Sequence, residues 1–290
     1  MKKPLFTGVC TALVTPFLDD QVNYPMLQQL LKRQVDAGIE AVVLCGTTGE
    51  SPTLSNQEKL NIFRYAREYI GGQLKLIAGA GSNDTAHTVA LSKAAESLGM
   101  DGILVVSPYY NKPTASGLIA HYKAVAKSVS IPVILYNVPG RTGVDIPVSV
   151  YRELCRIPNI AGVKEASADI TKITKIIASC GSNLPVWTGN DELITPAMTL
   201  GAMGVISVIS NLLPRETQAL TTAALTGNFS VATEIQIKLQ PIIEALFLES
   251  NPIPIKEAMN MIGYDCGPCR LPLTDASTEC KEKLEHLIKN

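Results

Sequence analysis

Short runs of apolar and β-branched residues recur along the chain, and each is followed by a turn and then by a stretch of helical periodicity. The runs are too short for helices, and their length and composition are typical of buried strands. The predicted strands cover residues 8–15, 41–45, 75–78, 102–106, 132–136, 162–164, 185–187 and 204–208.

Helical stretches separate these strands. One of them begins at Ser55 and has Glu58 three positions later, which is the pattern of a capping box. Eight strand–helix units in about 210 residues predict a parallel sheet and favour a closed (β/α)8 barrel, the TIM barrel. An open doubly wound sheet is the alternative, although no Gly-x-Gly-x-x-Gly run follows the first strand. The predicted helices cover residues 25–37, 55–70, 85–98, 115–129, 147–155, 169–179 and 190–200.

The pattern changes after residue 213, where strand-like runs stop and helical periodicity continues. We therefore predict two regions, a barrel over residues 1–213 that carries the active site and a C-terminal helical appendix over residues 214–290. Helices are predicted in the appendix at residues 214–225, 229–248, 255–261 and 277–287.

Composition narrows the class of protein. The chain has 290 residues, 46% of them hydrophobic, and a net charge of −1, which gives no basis for binding nucleic acid or anionic membranes. No apolar run approaches the roughly 20 residues that a membrane helix needs. The first six residues include two lysines but lack the apolar segment of a signal peptide. We predict a cytoplasmic protein.

The seven cysteines are scattered, and without an export signal they are expected to be reduced thiols. Cys266 and Cys269 form a Cys-Gly-Pro-Cys sequence of the thioredoxin type, but Pro272 follows too closely for the helix that such a redox site requires. We predict a structural turn there. A zinc site is not expected, because a second cysteine pair is missing and the three histidines are far apart in sequence.

In a (β/α)8 barrel the catalytic groups lie at the C-terminal ends of the strands. The predicted strand ends bring together one amine, several phenols, two adjacent hydroxyls and one guanidinium, an inventory suited to imine chemistry on an oxoacid. These segments are residues 46–50, 79–83, 108–111, 136–143, 164, 189–191 and 206–207.

Lys164 is the predicted nucleophile, because burial among apolar neighbours disfavours the charged form of an amine. The alternative is an ordinary strand-end lysine that reaches water. Lys112 and Lys256 are competing amines; we expect neither to be desolvated, since one lies in a polar loop and the other begins a helix outside the barrel. A protonated imine is itself an electron sink, so no metal or cofactor is predicted.

Six motifs carry a resemblance that covers nearly the whole chain. Each would be weak alone, but they occur in order and at appropriate spacing. The sequence resembles the dihydrodipicolinate synthase family of the pyruvate-dependent class I aldolases, a superfamily that includes N-acetylneuraminate lyase. The motifs lie at residues 46–51, 109–113, 136–143, 162–166, 204–207 and 251–256.

The resemblance implies roles for the strand-end residues. Lys164 forms an imine with pyruvate, and Tyr136 donates and accepts protons. Thr47 links Tyr136 to Tyr110 in a proton relay, and Tyr110 is supplied across a subunit contact. The family implies a homotetramer built from two tight dimers.

Further residues are implied to bind the substrates. Thr48 holds the pyruvate carboxylate, and Ile206 and Gly189 line the same pocket. Arg141 can grip a second carboxylate in bidentate fashion, although alone it could be a surface ion pair. An arginine here implies L-aspartate-4-semialdehyde as the second substrate and 4-hydroxy-tetrahydrodipicolinate as the product, in the first committed step of lysine and diaminopimelate synthesis. The alternatives are a related aldolase of 2-keto-3-deoxy sugar acids and a non-catalytic oxoacid-binding protein.

Lysine-inhibited members of the family bind the end product with a glutamate and histidines at a dimer interface. The corresponding positions here are expected to hold His87, Asn56 and Lys59. An imidazole removes the partner of the ligand's ammonium and Lys59 adds like charge, so we expect weak or absent inhibition by lysine. The same interface set includes Ser51, Asn83 and Tyr109; Tyr109 could instead be an aromatic residue at the barrel rim.

Overall fold

Eight parallel strands close into a barrel, which confirms the predicted (β/α)8 fold and excludes the open sheet. The computed structural model describes residues 2–289. In the barrel, β1 pairs with β10 and β4, and the remaining strands pair in the order β10-β9-β8-β7-β6-β5-β4. The strands of the described residues are β1 (Gly8–Ala12), β2 (Phe17–Leu18), β3 (Gln21–Val22), β4 (Ala41–Leu44), β5 (Lys75–Gly79), β6 (Gly102–Val106), β7 (Val133–Asn137), β8 (Ile160–Glu165), β9 (Val186–Thr188) and β10 (Gly204–Ser207).

The first strand is shorter than predicted and is followed by a small antiparallel hairpin, β2–β3, that the sequence pattern did not reveal. The backbone N–H of Leu13 still donates to the Val43 carbonyl at 3.1 Å, but that of Val14 donates to the side-chain oxygen of Asn211 at 3.1 Å. The ladder of parallel strands therefore ends at Ala12, and the chain turns out of the barrel wall.

The helices follow the predicted order. The capping box is confirmed at the start of α2, where Ser55 and Glu58 each bond to the other's backbone N–H. A short helix, α5, was not predicted. The helices are α1 (Tyr24–Asp36), α2 (Asn56–Ile70), α3 (Thr85–Ser97), α4 (Ala115–Ser128), α5 (Pro139–Thr142), α6 (Val148–Leu154), α7 (Ile170–Cys180), α8 (Ile194–Thr199), α9 (Pro214–Leu225), α10 (Phe229–Ala245), α11 (Ile253–Met261) and α12 (Thr278–Lys289).

Side chains fill the barrel interior as a separate core. Trp187 is fully buried there and stacks on Phe6 with ring centroids 4.6 Å apart. Gly162 makes room for it, since a Cβ at that position would lie 2.4 Å from Trp187 Cζ3. The inner cluster also contains Tyr136 and Ile206, whereas alternate residues of the same strands pack outward against the helices. The inward-facing residues near the C-terminal strand ends thus stand on a packed barrel interior.

The strands β7 and β8 pair with one irregularity that decides which residues face inward. Val133 pairs with Ile160, but Ile134 pairs with Gly162, so Ala161 is an extra residue in β8. Because side chains alternate between the two faces of a strand, this bulge moves every following residue of β8 to the opposite face. Lys164 consequently lies beside Tyr136 inside the barrel.

The C-terminal helices begin with α9, which packs against the first strand of the barrel. In the eighth β/α unit, α9 follows β10 and covers β1, where Gly8 leaves room for Thr221. The helices α10–α12 follow outside that unit. The predicted boundary at residue 213/214 stays a prediction.

Lys256 corrects one expectation. It was predicted to reach water, but it is 2% exposed, and its Nζ lies 2.9 Å from Glu50 Oε1. The start of α11 packs against the loop after β4, which no local pattern indicates. The amine also donates to the carbonyl of Pro268. Lys256 is therefore buried but paired, unlike the exposed Lys112.

The Cys266–Cys269 segment lies in a loop between α11 and α12, as predicted for a structural turn. The carbonyl of Cys266 accepts a hydrogen bond from Phe17 N at 3.0 Å. Burial raises the pKa of both thiols to about 12, so neither is a reactive thiolate. All seven cysteines of the chain are free thiols.

Candidate active site

Lys164 projects from β8 into the barrel mouth and is 6% exposed. The space for its side chain depends on Gly189, after β9: a Cβ there would lie 2.7 Å from Lys164 Cε and 2.6 Å from Ala166 Cβ. The backbone N–H of Gly189 also donates to the Glu165 carbonyl at 2.8 Å. Gly189 thus borders the Lys164 side chain, and its role in substrate binding stays a prediction.

Tyr136 is the direct neighbour of Lys164 across the β7–β8 ladder and is 6% exposed. The Lys164 Nζ lies 4.4 Å from the centroid of the Tyr136 ring. A lysine ammonium gains from such a contact with an aromatic face. The pair places an amine and a phenol side by side in the barrel.

Two threonines stand in the loop after β4. Thr48 is buried, and its hydroxyl accepts a hydrogen bond from Asn251 Nδ2 at 3.0 Å. Thr47 is half-buried and lines the same cavity as Tyr136. The loop is anchored by the Glu50–Lys256 ion pair, so the C-terminal region fixes where both hydroxyls stand.

Arg141 is exposed at the mouth, at the end of α5. Its Nη2 donates to the Asn251 carbonyl at 3.2 Å, and no carboxylate of residues 2–289 forms an ion pair with it. The guanidinium therefore keeps donors for a ligand. The alternative of a surface ion pair is not seen among the described residues.

Asn251 is the site residue that sequence reasoning missed. It connects Thr48 to Arg141, it is 5% exposed, and its buried Oδ1 has no hydrogen-bond partner among residues 2–289. Its position opened the last of the six motifs, which was the available signal. An Asn-Pro pair outside the barrel reads as a turn, so its contact with the mouth was not predicted.

Ile206 lies in β10, fully buried in the inner core. The end of this strand is held by Asp191, whose Oδ2 accepts from the backbone N–H groups of Val208 and Ile209 at 2.9 and 2.8 Å. Burial raises the pKa of Asp191 to about 6, although these backbone bonds oppose the shift. The wall of the mouth beside Ile206 is thus built on a buried carboxyl group.

Tyr110 is not brought to this pocket. It is 89% exposed with φ of 69°, in a segment that we call the relay loop, residues 109–112. Asn111 Nδ2 ties the loop to the Asn83 carbonyl at 2.9 Å. Within one chain, then, Tyr110 does not line the cavity that Thr47 and Tyr136 line.

The predicted regulatory residues line one cavity of about 560 Å³ together with Thr47, Tyr136 and Arg141. Lys59 is 8% exposed, and burial lowers its pKa. His87 Nε2 lies 3.1 Å from Asn56 Oδ1, so the two share a hydrogen bond. The residues of the set in this cavity are Ser51, Asn56, Lys59, Asn83, His87 and Tyr109.

Residues 2–289 lack two features, a metal-binding cluster and a membrane-spanning helix. No group of three or more His, Cys, Asp and Glu side chains is arranged to hold a metal ion. None of the described helices is long and apolar enough to cross a membrane.

Comparison with known proteins decides the family. The model of the Dihydrodipicolinate synthetase family matches residues 5–290. The chain belongs to this family. This confirms the resemblance drawn from the six motifs.

Full-length relatives agree with the family match. The 4-hydroxy-tetrahydrodipicolinate synthase of Acetivibrio thermocellus is 44% identical over 290 residues, covering 100% of this chain and 99% of the relative. The enzyme of the same name from Caldicellulosiruptor saccharolyticus is 46% identical, and the match covers 98% of this chain and 97% of the relative. The relatives carry the name of the predicted activity, and the sugar-acid aldolase alternative is not favoured.

Solved structures of dihydrodipicolinate synthases share the fold. The Aquifex aeolicus structure has a TM-score of 0.96 at 44% identity and covers 98% of this chain and 97% of its own. The Thermotoga maritima structure has the same TM-score at 39% identity and covers 98% of each chain. The eight-stranded barrel and its C-terminal helices are thus those of the dihydrodipicolinate synthetase family.

Proposed function

We propose that this family member is a lyase that condenses pyruvate with L-aspartate-4-semialdehyde to 4-hydroxy-tetrahydrodipicolinate, through an imine on Lys164. The observation that carries the proposal is the buried Lys164 amine, 4.4 Å from the Tyr136 ring centroid, in a space that Gly189 leaves open. An isolated amine in such surroundings is suited to attack a carbonyl. The activity belongs to lysine and diaminopimelate synthesis.

The first half of the reaction forms an enamine. The Lys164 amine adds to the pyruvate ketone, and loss of water leaves a protonated imine. Tyr136 is the neighbouring group that moves protons in these steps, and the Thr48 hydroxyl holds the pyruvate carboxylate. The former methyl group then loses a proton. The electron pair of that C–H bond forms the carbon–carbon double bond of the enamine, and the protonated imine nitrogen accepts the electron pair of the C=N bond. This chemistry requires neither a metal nor a cofactor.

The second half joins the two substrates. The enamine carbon attacks the aldehyde, and the resulting alkoxide takes a proton. The amino group of the semialdehyde portion then adds to the imine carbon, closes the ring and displaces the Lys164 amine. Arg141, whose guanidinium has donors left beside Asn251, binds the carboxylate of the semialdehyde.

The proton relay requires a second copy of the chain in this proposal. Tyr110 is exposed in the relay loop, whereas Thr47 lines the cavity. A Tyr110 inserted from a neighbouring subunit would complete the relay to Tyr136. We therefore propose a homo-oligomer, a homotetramer of two dimers. The seven free thiols fit a location in the cytoplasm.

Borohydride trapping with pyruvate tests the imine. Intact mass should show one reduced pyruvate adduct per chain, and peptide mapping should place it on Lys164. The matched control is Lys164→Ala, which retains the buried amines of Lys172 and Lys256. An adduct on either of those amines, or none in the unaltered protein, would overturn the proposal. Condensation with glyceraldehyde rather than the semialdehyde would instead favour a sugar-acid aldolase.

We further propose that lysine inhibits this enzyme weakly or not at all. The buried Lys59 has no carboxylate within ion-pair distance among residues 2–289, so an ammonium ligand would meet an uncompensated positive charge. His87 lines the same cavity, where the only carboxylate among the lining residues is that of Asp84, which accepts a hydrogen bond from the Ala86 backbone N–H.

Turnover measured across low-millimolar lysine tests this regulatory proposal. We expect no inhibition in the unaltered enzyme, and halved turnover would refute it. A double variant, Lys59→His with His87→Glu, supplies a carboxylate and removes the buried amine. It should become more sensitive to lysine if charge is the reason.

A further inference from the structure

The bulge in β8 raises a question about what holds it. If the pairing of Val133 with Ile160 continued without the extra residue, Tyr136 would pair with Val163. Lys164 would then point outward toward the helices. The inward position of the nucleophile therefore depends on the register beyond Ala161.

The residues that face outward at the same level are polar and joined. Asn137 follows Tyr136 in β7, Glu165 follows Lys164 in β8, and the two are register partners. Asn137 Nδ2 donates to Glu165 Oε1 at 2.8 Å. Both side chains are buried, at 0% and 1% exposure, so this bond is shielded from water. It ties the two strands directly behind the catalytic pair.

Asn137 has every polar atom of its side chain engaged. Its Nδ2 also donates to Asp145 Oδ1 at 2.9 Å, and its Oδ1 accepts from the backbone N–H of Ile146 at 2.9 Å. The amide therefore cannot rotate without losing several bonds at once.

The Glu165 carboxylate is held from several sides. Its Oε1 also accepts from the backbone N–H of Ser167 at 3.0 Å, and its Oε2 accepts from the Tyr151 hydroxyl at 3.2 Å. The Lys172 Nζ lies 3.9 Å from Oε2 and pairs with Asp145 as well. Burial raises the pKa of Glu165, and the charge of Lys172 opposes that shift. None of these contacts involves the Lys164 amine or the Tyr136 hydroxyl.

We propose that Glu165 and Asn137 form a register clamp, which keeps the bulged pairing and thereby positions Lys164 against Tyr136. The clamp residues are positioning residues and touch no substrate. A buried hydrogen bond at the end of a two-strand ladder specifies one register against its one-residue alternative. This inference rests on the proposed imine chemistry of Lys164.

The test is the rate of imine formation rather than stability alone. Glu165→Ala should slow borohydride-trappable adduct formation at saturating pyruvate by about 10–100-fold, because misplacement by about 1 Å has effects of that size. The pyruvate concentration at half-saturation should change much less. Glu165→Gln keeps an oxygen acceptor for Asn137 and should recover most of the rate.

Asp101→Ala is the matched control. It removes a carboxylate that pairs with Arg67 and Lys75, at the start of β6 and at the opposite end of the barrel. Its melting temperature should fall while its trapping rate stays that of the unaltered protein. If Glu165→Ala does not fold, Asn137→Ala, which leaves Ser167, Tyr151 and Lys172 in contact with Glu165, decides the matter.

The outcomes separate this inference from the proposed function. A folded Glu165→Ala or Asn137→Ala variant that traps pyruvate at the unaltered rate would overturn the register clamp alone. A failure of the unaltered protein to form any adduct would overturn the proposed function instead.

Discussion

The two tyrosines of the predicted relay occupy opposite environments. Tyr136 is 6% exposed and is fixed between strands, whereas Tyr110 is 89% exposed in the relay loop. The half of the site around Lys164 is complete within one chain, and the half around Tyr110 is not. In the proposed mechanism, therefore, imine formation needs only a folded barrel, whereas the proton relay needs a neighbouring subunit.

Removing the hydroxyl of Tyr136 should lower activity the most. Tyr136→Phe keeps the ring beside the Lys164 amine but removes its proton-transfer group, so kcat should fall by about 10²–10⁴-fold. The melting temperature should stay nearly unchanged, because the phenylalanine ring fills the same place in the inner core. Steady-state condensation kinetics provide the measurement, and an unchanged kcat would contradict the role.

The second-largest loss of activity should come from crowding the half of the site around Lys164. Gly189→Ala places a methyl group 2.7 Å from Lys164 Cε and should lower kcat/KM for pyruvate by about 10²-fold. Gly72→Ala is the matched control, since a Cβ there meets nothing within 4 Å. Equal activity in the two variants would show that the Lys164 side chain does not need the space.

The exposed half should be less sensitive and should respond to mixing. Tyr110→Phe should lower kcat by about 10-fold, less than a direct proton-transfer group would. Mixed with Lys164→Ala under conditions that allow subunits to exchange, it should regain activity above either variant, because some sites then combine Lys164 and Tyr110 from different chains. No recovery in exchanged oligomers would mean that Tyr110 acts within its own chain.

The smallest expected effect is on stability and concerns Asp191, which holds the end of β10 beside Ile206. Asp191 has a folded pKa of about 6, above the ordinary value of 3.8, so the folded state binds the proton more tightly. Its contribution to stability is present at low pH and is lost as pH rises through 6. The free energy of unfolding should fall by about 2–3 kcal/mol between pH 4 and pH 7 relative to Asp191→Asn. Denaturant titrations of both proteins at these pH values test this; parallel curves would refute it.

The same contrast explains what the sequence could predict. Lys164 and Tyr136 could be placed because strand ends are marked by local apolar runs, and catalytic groups of such barrels gather there. The bulge at Ala161 could not, since it exists only relative to β7; the predicted strand began at Gly162. The burial of Lys256 could not be predicted either, because its partner, Glu50, lies 206 positions away in sequence. Asn251 escaped notice for the same reason.

The buried pair of Glu50 and Lys256 has a consequence for exchanging parts between relatives. Arg270 adds to this link, since its backbone N–H donates to Glu50 Oε2 at 2.8 Å and its guanidinium pairs with Glu58. A hybrid chain that joined this barrel to a relative's C-terminal helices would separate charges that compensate each other. Such a hybrid would need both sides of the ion pair from the same parent. The C-terminal appendix is therefore not an interchangeable module, and it must be inherited together with the loop after β4 that holds Thr47 and Thr48.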